Sequence, residues 1–243
     1  KKRDVMCCMN AGNQGCGRKW SRMRIITDTG TDILDKEAKK LGIELVAIRS
    51  NFTDTVFSEN TEAEFTRFYD KLRQTDTLPV SSQPSPAEFL ELFEDAKEKQ
   101  EEVVVITISS KLSGTYNGAM LAKDMAEYDN IYVVDSLQAS LSERLLVEYA
   151  VKLRDAGMGA KELIRKLEQD RERVILTGVP STLLYLKMGG RISPVVAAVG
   201  GVIGIKPVLW LKDGVIESRS KARGMRMAKS GMQSFFKDYE ADP

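Results

Sequence analysis

The chain has 243 residues, 42% of them hydrophobic and 29% charged, enough to bury a substantial core in one large domain or two small ones. Lys and Arg number 36 against 35 Asp and Glu, so no global field recruits nucleic acid or an anionic membrane surface. His is absent, which removes Ser-His-Asp and Cys-His nucleophile activation, HExxH metal sites and phosphohistidine chemistry together. The three Cys, at 7, 8 and 16, match neither a CxxC pair nor a disulfide framework. A cysteine-free body fits a reducing cytoplasm.

Residues 1–22 carry neither helical nor strand period and are expected to be a disordered tail; their basic start lacks the apolar run of a secretory signal. Met23 stands directly before the first strand-like run and reads as a natural start. Residues 24–27 predict a strand ending in Asp28, then the turn Thr29-Gly30-Thr31 and a helix over about 32–41, stopped by Gly42. A second strand is expected over 43–48. Thr61-Glu62-Ala63-Glu64 has capping-box spacing ahead of a helix with Phe65, Phe68, Tyr69 and Leu72 on one face. Ser85 fits the N-cap, Pro86 the first helical position and Glu88 the third, ahead of the stripe Phe89, Leu92, Phe93, Ala96.

The β-branched run 103–108, apolar except for Thr107, predicts a central strand buried on both faces of a parallel sheet. A turn over 109–114, a helix to about 127 and a strand over 131–134 ending in Asp135 follow, and this alternation implies a doubly wound sheet. Helices over 142–156 and 160–169 lead to a second half with strands at 174–177, 206–211 and 215–218. The apolar stretch 194–211 falls short of about 20 residues and is broken by Lys206-Pro207, so it reads as a buried Gly-rich helix and a strand, with no stable membrane insertion.

In an open parallel sheet, ligands bind beyond the carboxyl ends of the strands. Three loops have that address: 28–31, 109–115 and 135–136. The second, Ser109-Ser110-Lys111-Leu112-Ser113-Gly114-Thr115, joins a buried strand to a helix N-terminus whose unpaired N–H groups favour an anion. Gly114 admits a ligand close to the backbone, and Ser113 and Thr115 can donate hydroxyl protons to a carboxylate. Residue types alone suit Ser113 equally to capping that helix. The spacing is not GxxxxGKS, which disfavours a nucleotide phosphate. In Ser81-Ser82-Gln83-Pro84-Ser85-Pro86, Ser81 and Ser82 are free to face the same crevice. Asp28 and Asp135, both at strand ends, support a competing reading as Mg²⁺ ligands or a base in a phosphoryl-transfer or hydrolase enzyme, although the N-cap preference of Asp favours capping for both. The basic stretch Arg219, Lys221, Arg223, Arg226 and Lys229 is either a docking surface or a solvated face.

Several motifs in order carry a family resemblance: Ile25-Ile26-Thr27-Asp28-Thr29, Ser82-Gln83-Pro84-Ser85-Pro86, Ile108 through Tyr116, Val134-Asp135-Ser136, Lys187-Met188-Gly189-Gly190-Arg191-Ile192-Ser193, Ile205-Lys206-Pro207 and Asp213-Gly214. Over roughly 23–223 the chain resembles the DegV family of bacterial fatty acid-binding proteins, some of which present the fatty acid to a fatty acid kinase. The resemblance implies an α/β, two-domain EDD fold. Its N-terminal domain, 23–157, is a parallel-sheet three-layer α/β/α unit; its smaller C-terminal α/β domain, 158–243, has a mixed sheet and is incomplete. It further implies a non-catalytic, cytoplasmic carrier that needs no cofactor or metal. Its partners would be a long-chain fatty acid and the catalytic subunit of a fatty acid kinase. Carried over by position, the carboxylate contacts are Ser81, a position usually Thr in the family, with Ser113, Gly114 and Arg191; Asp28, Thr29, Ser82, Ser109 and Thr115 are further candidates to line the site. Arg191 suits equally a structural role on the carbonyls of its Gly-Gly turn. Family members generally continue past the end of this chain, with a His beside the carboxylate, so this sequence is expected to be C-terminally truncated.

Overall fold

The computed structural model describes residues 23–75, 77–192 and 204–237, with side chains to residue 234. The expected tail over 1–22 and the expected Gly-rich helix after residue 193 lie outside the described residues.

Four strands form a parallel sheet in the order β2 (Glu44–Val46), β1 (Met23–Asp28), β6 (Glu102–Thr107), β7 (Ile131–Asp135). The predicted central strand is β6, and Val103, Val104, Val105 and Ile106 are fully buried. Side chains alternate across a strand, so one continuous apolar run serves two cores. On one face Ile25, Val104, Ile106 and Val134 pack against α1 (Asp35–Leu41), α5 (Leu141–Asp155) and α6 (Ala160–Asp170) through Ala38, Leu146, Val147, Ala150, Leu163 and Leu167. On the other, Ile26, Val103, Val105 and Ile131 meet Phe89, Phe93 and Ala96 of α3 (Pro86–Lys99) and Ala119, Ala122 and Ala126 of α4 (Thr115–Ala126). The result is the expected three-layer unit. α6, expected in the second domain, lies in this core.

Local chemistry sets the element ends. Ser85 caps α3 as expected: its N–H donates to Glu88 Oε2 at 2.9 Å, with Pro86 at the first helical position. Thr61 caps α2 (Glu62–Gln74) by accepting the Glu64 N–H at 3.1 Å. The helix expected from about residue 32 starts at Asp35, because Thr29–Thr31 forms a 3-10 turn and Asp32 adopts φ 58°.

The strand expected over 43–48 divides. Its first part is β2; the chain then leaves the parallel sheet as β3 (Arg49–Asn51), which pairs antiparallel with β4 (Val56–Phe57) and β5 (Val80–Ser82). A third sheet follows α6: β8 (Thr177–Gly178), β9 (Ile205–Lys212) and β10 (Val215–Arg223), covered by α8 (Gly224–Lys237), with the short α7 (Leu184–Met188) before β9. A mixed sheet was expected here, but the described strands are all antiparallel. The reason is the two-residue connection Asp213-Gly214, with φ 49° and 81°, which closes a tight β9–β10 hairpin. The strand expected at 174–177 shrinks to Thr177–Gly178, since the Gln138 amide takes the Arg171 and Val174 carbonyls instead.

Phe93 is wholly buried on the α3 side of the sheet. Phe93→Ala is expected to cost about 3–5 kcal/mol, read as a lower urea midpoint with an unchanged slope.

Candidate functional site

The turn between β6 and α4 is held from several directions. Asp28, at the end of β1, accepts the Gly30 N–H on Oδ1 and the Ile108 N–H on Oδ2, both at 2.8 Å. Asp135, at the end of β7, accepts the N–H groups of Ser110 and Leu137 on Oδ1, each at 3.1 Å. Ser109, fully buried, donates its hydroxyl to the Gly214 carbonyl at 2.8 Å. A Cβ on Gly214 would sit 2.5 Å from that hydroxyl, so the β9–β10 hairpin docks on Ser109 only through a glycine. Arg191 Nε donates to the Leu112 carbonyl at 2.9 Å, and the guanidinium also reaches the Gly189 carbonyl.

Two cavities flank this turn. One, of about 310 Å³, is lined by Ser110, Lys111, Ser113, Gly114, Gly190 and Arg191, with Leu112, Val215 and Ile216. Among the described residues it presents two hydroxyls and two cations and no carboxylate. The second, of about 360 Å³, is walled by apolar groups of the third sheet and its approaches, among them Leu176, Val179, Pro180, Leu186, Leu209 and Trp210. Leu112 and Ile216 line both, so the polar and apolar spaces meet there. An acidic-rimmed third cavity lies under α2 and includes Thr29, Gly30 and Asp32.

The expected site residues therefore separate. Ser113, Gly114 and Arg191 come together around the polar cavity, and Arg191 combines its two readings by lining it while satisfying Gly-turn carbonyls. Gly114, not Ser113, holds the N-cap position of α4; the Ser113 hydroxyl shares a 2.8 Å hydrogen bond with Thr115 Oγ1, and Thr115 is buried. Ser81 and Ser82 lie exposed on β5, where Ser81 pairs in register with Ser50 and Ser82 Oγ accepts from the Asn51 amide at 3.0 Å. Neither lines the polar cavity. Thr29 accepts the Ile48 N–H at 2.9 Å and faces the third cavity.

Two residues not singled out as site members also bear on this place. Lys111 lines the polar cavity beside Arg191. Gln83 lays its amide on Gly114 so closely that any Cβ there would overlap it, which brings the Ser82–Pro84 loop to the head of α4. The signals were a cation inside a hydroxyl-rich turn and a glycine at a helix start.

Asp28 has both carboxylate oxygens on backbone N–H groups, and Asp135 holds two backbone N–H groups on Oδ1, as turn anchors do. For Asp28 this weighs against service as a metal ligand or base, which would need those lone pairs free. Burial pushes the Asp28 carboxyl up to about 7, against the pull of its two N–H donors. Raised from 3.8, this group contributes stability that is fully present below its unfolded value and lost as pH rises through about 7. Urea stability is therefore expected to fall between about pH 4 and 7. Asp28→Asn should flatten that slope while costing about 1–3 kcal/mol, because one buried N–H loses its acceptor.

The sequence profile of the DegV family, described as an uncharacterised protein family, matches residues 22–243. A DegV domain-containing protein of Caldanaerobacter subterraneus subsp. tengcongensis is 31% identical over 221 residues, covering 91% of this chain and 79% of that protein. Among solved structures, a fatty acid-binding DegV family protein from Thermus thermophilus superposes with a TM-score of 0.80 at 31% identity, covering 89% of this chain and 77% of that one. The Streptococcus pneumoniae fatty acid kinase B3 protein, loaded with linoleic acid, gives 0.75 at 27% identity, covering 89% and 78%. No described helix is long and apolar enough to cross a membrane. With its fold and nearly all of its described length matched, the chain belongs to the DegV family.

Proposed function

We propose that this protein is a fatty acid carrier: it buries the acyl chain in the apolar cavity and holds the carboxylate at the Ser113–Gly114 turn beside Lys111 and Arg191. The observation that carries this reading is the meeting of a cationic, hydroxyl-lined space with an apolar one at Leu112 and Ile216. A ligand that suits both must be anionic at one end and apolar along the rest. The fatty acids bound by the Thermus and Streptococcus relatives have that chemistry, which supports the reading.

The exposed polar end suits presentation of the carboxylate to a separate fatty acid kinase, with phosphoryl transfer done by that enzyme. The Streptococcus relative, named as a fatty acid kinase B protein, supports this role. The basic residues Lys221, Arg226 and Lys229 on β10 and α8 then serve as the kinase-docking face.

Lipid extraction and mass spectrometry of protein expressed in bacteria are expected to recover bound fatty acid; neither recovery nor uptake on titration would sink the carrier reading. Ser113→Ala is expected to remove one charge-assisted hydrogen bond, about 1.5–3 kcal/mol, or roughly ten- to a hundredfold in affinity. Shortening the ligand by one methylene should cost about 0.8 kcal/mol, roughly fourfold, as long as the chain stays in the apolar space. Charge reversal at Lys221, Arg226 and Lys229 is expected to abolish kinase pull-down with fatty acid affinity unchanged; intact pull-down would place the docking face elsewhere.

A further inference from the structure

Glu143, in the first turn of α5, is completely buried, and neither of its carboxyl oxygens has a hydrogen-bond partner among the described residues. Its surroundings are acidic: Asp28 from β1, Asp32 from the turn that follows, and Asp135 from β7 all act on it with the same sign. Its sequence neighbour Arg144 does not answer it, because that guanidinium is committed to Glu37 and Glu148. A Cβ built on Gly30 would lie 2.6 Å from Asp28 Oδ1 and 3.2 Å from Glu143 Oε2, so both carboxyls close on the same face of that glycine. The contact is fixed from the other side as well, since the Ser140 N–H at the start of α5 donates to the Gly30 carbonyl at 2.8 Å.

Of the two acids, Asp28 receives two backbone N–H bonds and Glu143 receives none. Donors favour a carboxylate and burial without donors favours the acid, so the proton resides on Glu143. Burial first, and the neighbouring acids after it, hold the Glu143 carboxyl well above its ordinary range.

We infer that Glu143 is a positioning residue for the head-group turn: uncharged, it backs Asp28 across Gly30, and its ionisation loosens the turn and weakens carboxylate binding. The route is short. Asp28 holds the Ile108 N–H, and the Ser109–Gly114 turn starts at the next residue. A second negative charge pressed against Asp28 in a water-poor site repels it, and relief comes by moving the 3-10 turn or the Ile108 anchor. This inference rests on the carrier reading of the Ser113–Gly114 turn.

The test compares palmitate affinity of the full chain and of Glu143→Gln over a pH range that runs upward from about 6, just below the Asp28 value. Gln keeps the shape and the neutrality, and both proteins see the same ligand titration, so their difference isolates Glu143. Wild-type affinity is expected to fall about tenfold more than that of Glu143→Gln across the range, the change that one pKa unit of coupling corresponds to. A separate readout needs no ligand: the infrared difference between wild type and variant should show the carbonyl band of one neutral carboxylic acid that persists above the ordinary carboxylate range, present in wild type and absent from the variant. Absence of the band in wild type overturns the inference even if the variant fails to fold. Parallel affinity profiles for the two proteins also overturn it, and leave the carrier reading standing. Failure of wild type to bind palmitate at any pH, with the band present, sinks the carrier reading and with it the proposed effect on binding.

Discussion

Asp28 must be taken out of water to occupy the end of β1, and an unpaired carboxylate there would be costly. Two backbone N–H groups compensate, one from its own 3-10 turn and one from Ile108 at the end of the neighbouring strand. The side chain thereby fixes where β6 stops being a strand and where the Ser109–Gly114 turn begins. Asp135 does the same from the other edge of β6 through Ser110. Parallel strands end together on one side of a sheet, so two acids at their ends can pin the loop between them. The rest of the candidate site depends on that pinned loop.

The loop in turn positions the C-terminal hairpin. Ser109 donates its hydroxyl to the Gly214 carbonyl, and Arg191 reaches back from the Gly189-Gly190 turn to the Leu112 carbonyl. These bonds use backbone carbonyls, which leaves the hydroxyl of Ser113 and the ammonium of Lys111 beside the polar cavity. Both cavities exist because the third sheet is held against the turn at these points. A site fixed from four directions loses little freedom when a ligand arrives, which favours orientation at modest cost in entropy.

Much of this was legible in the chain. The apolar run 103–108 gave β6 and its two-sided burial, and Ser85-Pro86 with Glu88 gave α3, because period and capping are local properties. The family motifs led to Ser113, Gly114 and Arg191, which the fold does gather. The departure of β3 from the parallel sheet was not legible, since Arg49–Asn51 is chosen by its pairing with β5, more than 25 residues later. The same dependence hid the position of Ser81. A serine in a Ser/Pro loop reads as free to face the crevice, yet β5 pairing sets which way its strand lies, and Gln83 is the residue that meets Gly114. Glu143 was invisible for another reason. A Glu in the first turn of a helix is ordinary by sequence, and only the packing of α5 onto Gly30 makes it buried.

The chemistry of the two cavities also assigns affinity and orientation to different parts of the fold. Burying about 14 methylenes at roughly 0.8 kcal/mol each gives about 11 kcal/mol gross, before the costs of association. A few hydrogen bonds at about 1.5–3 kcal/mol each cannot match that, and much of their worth offsets the desolvation of the carboxylate. On the proposed carrier reading, affinity for an acyl ligand would come from the antiparallel sheet and its approaches, while the parallel sheet would supply the turn that aims the head group. A carrier that hands its ligand to another enzyme needs the second property more than the first: the tail must stay buried while the head stays in a fixed, accessible place. The acids behind the turn serve that requirement. They place no negative charge in the polar cavity itself, and by gripping backbone N–H groups from behind they hold Ser113 and Gly114 in position without competing for the ligand.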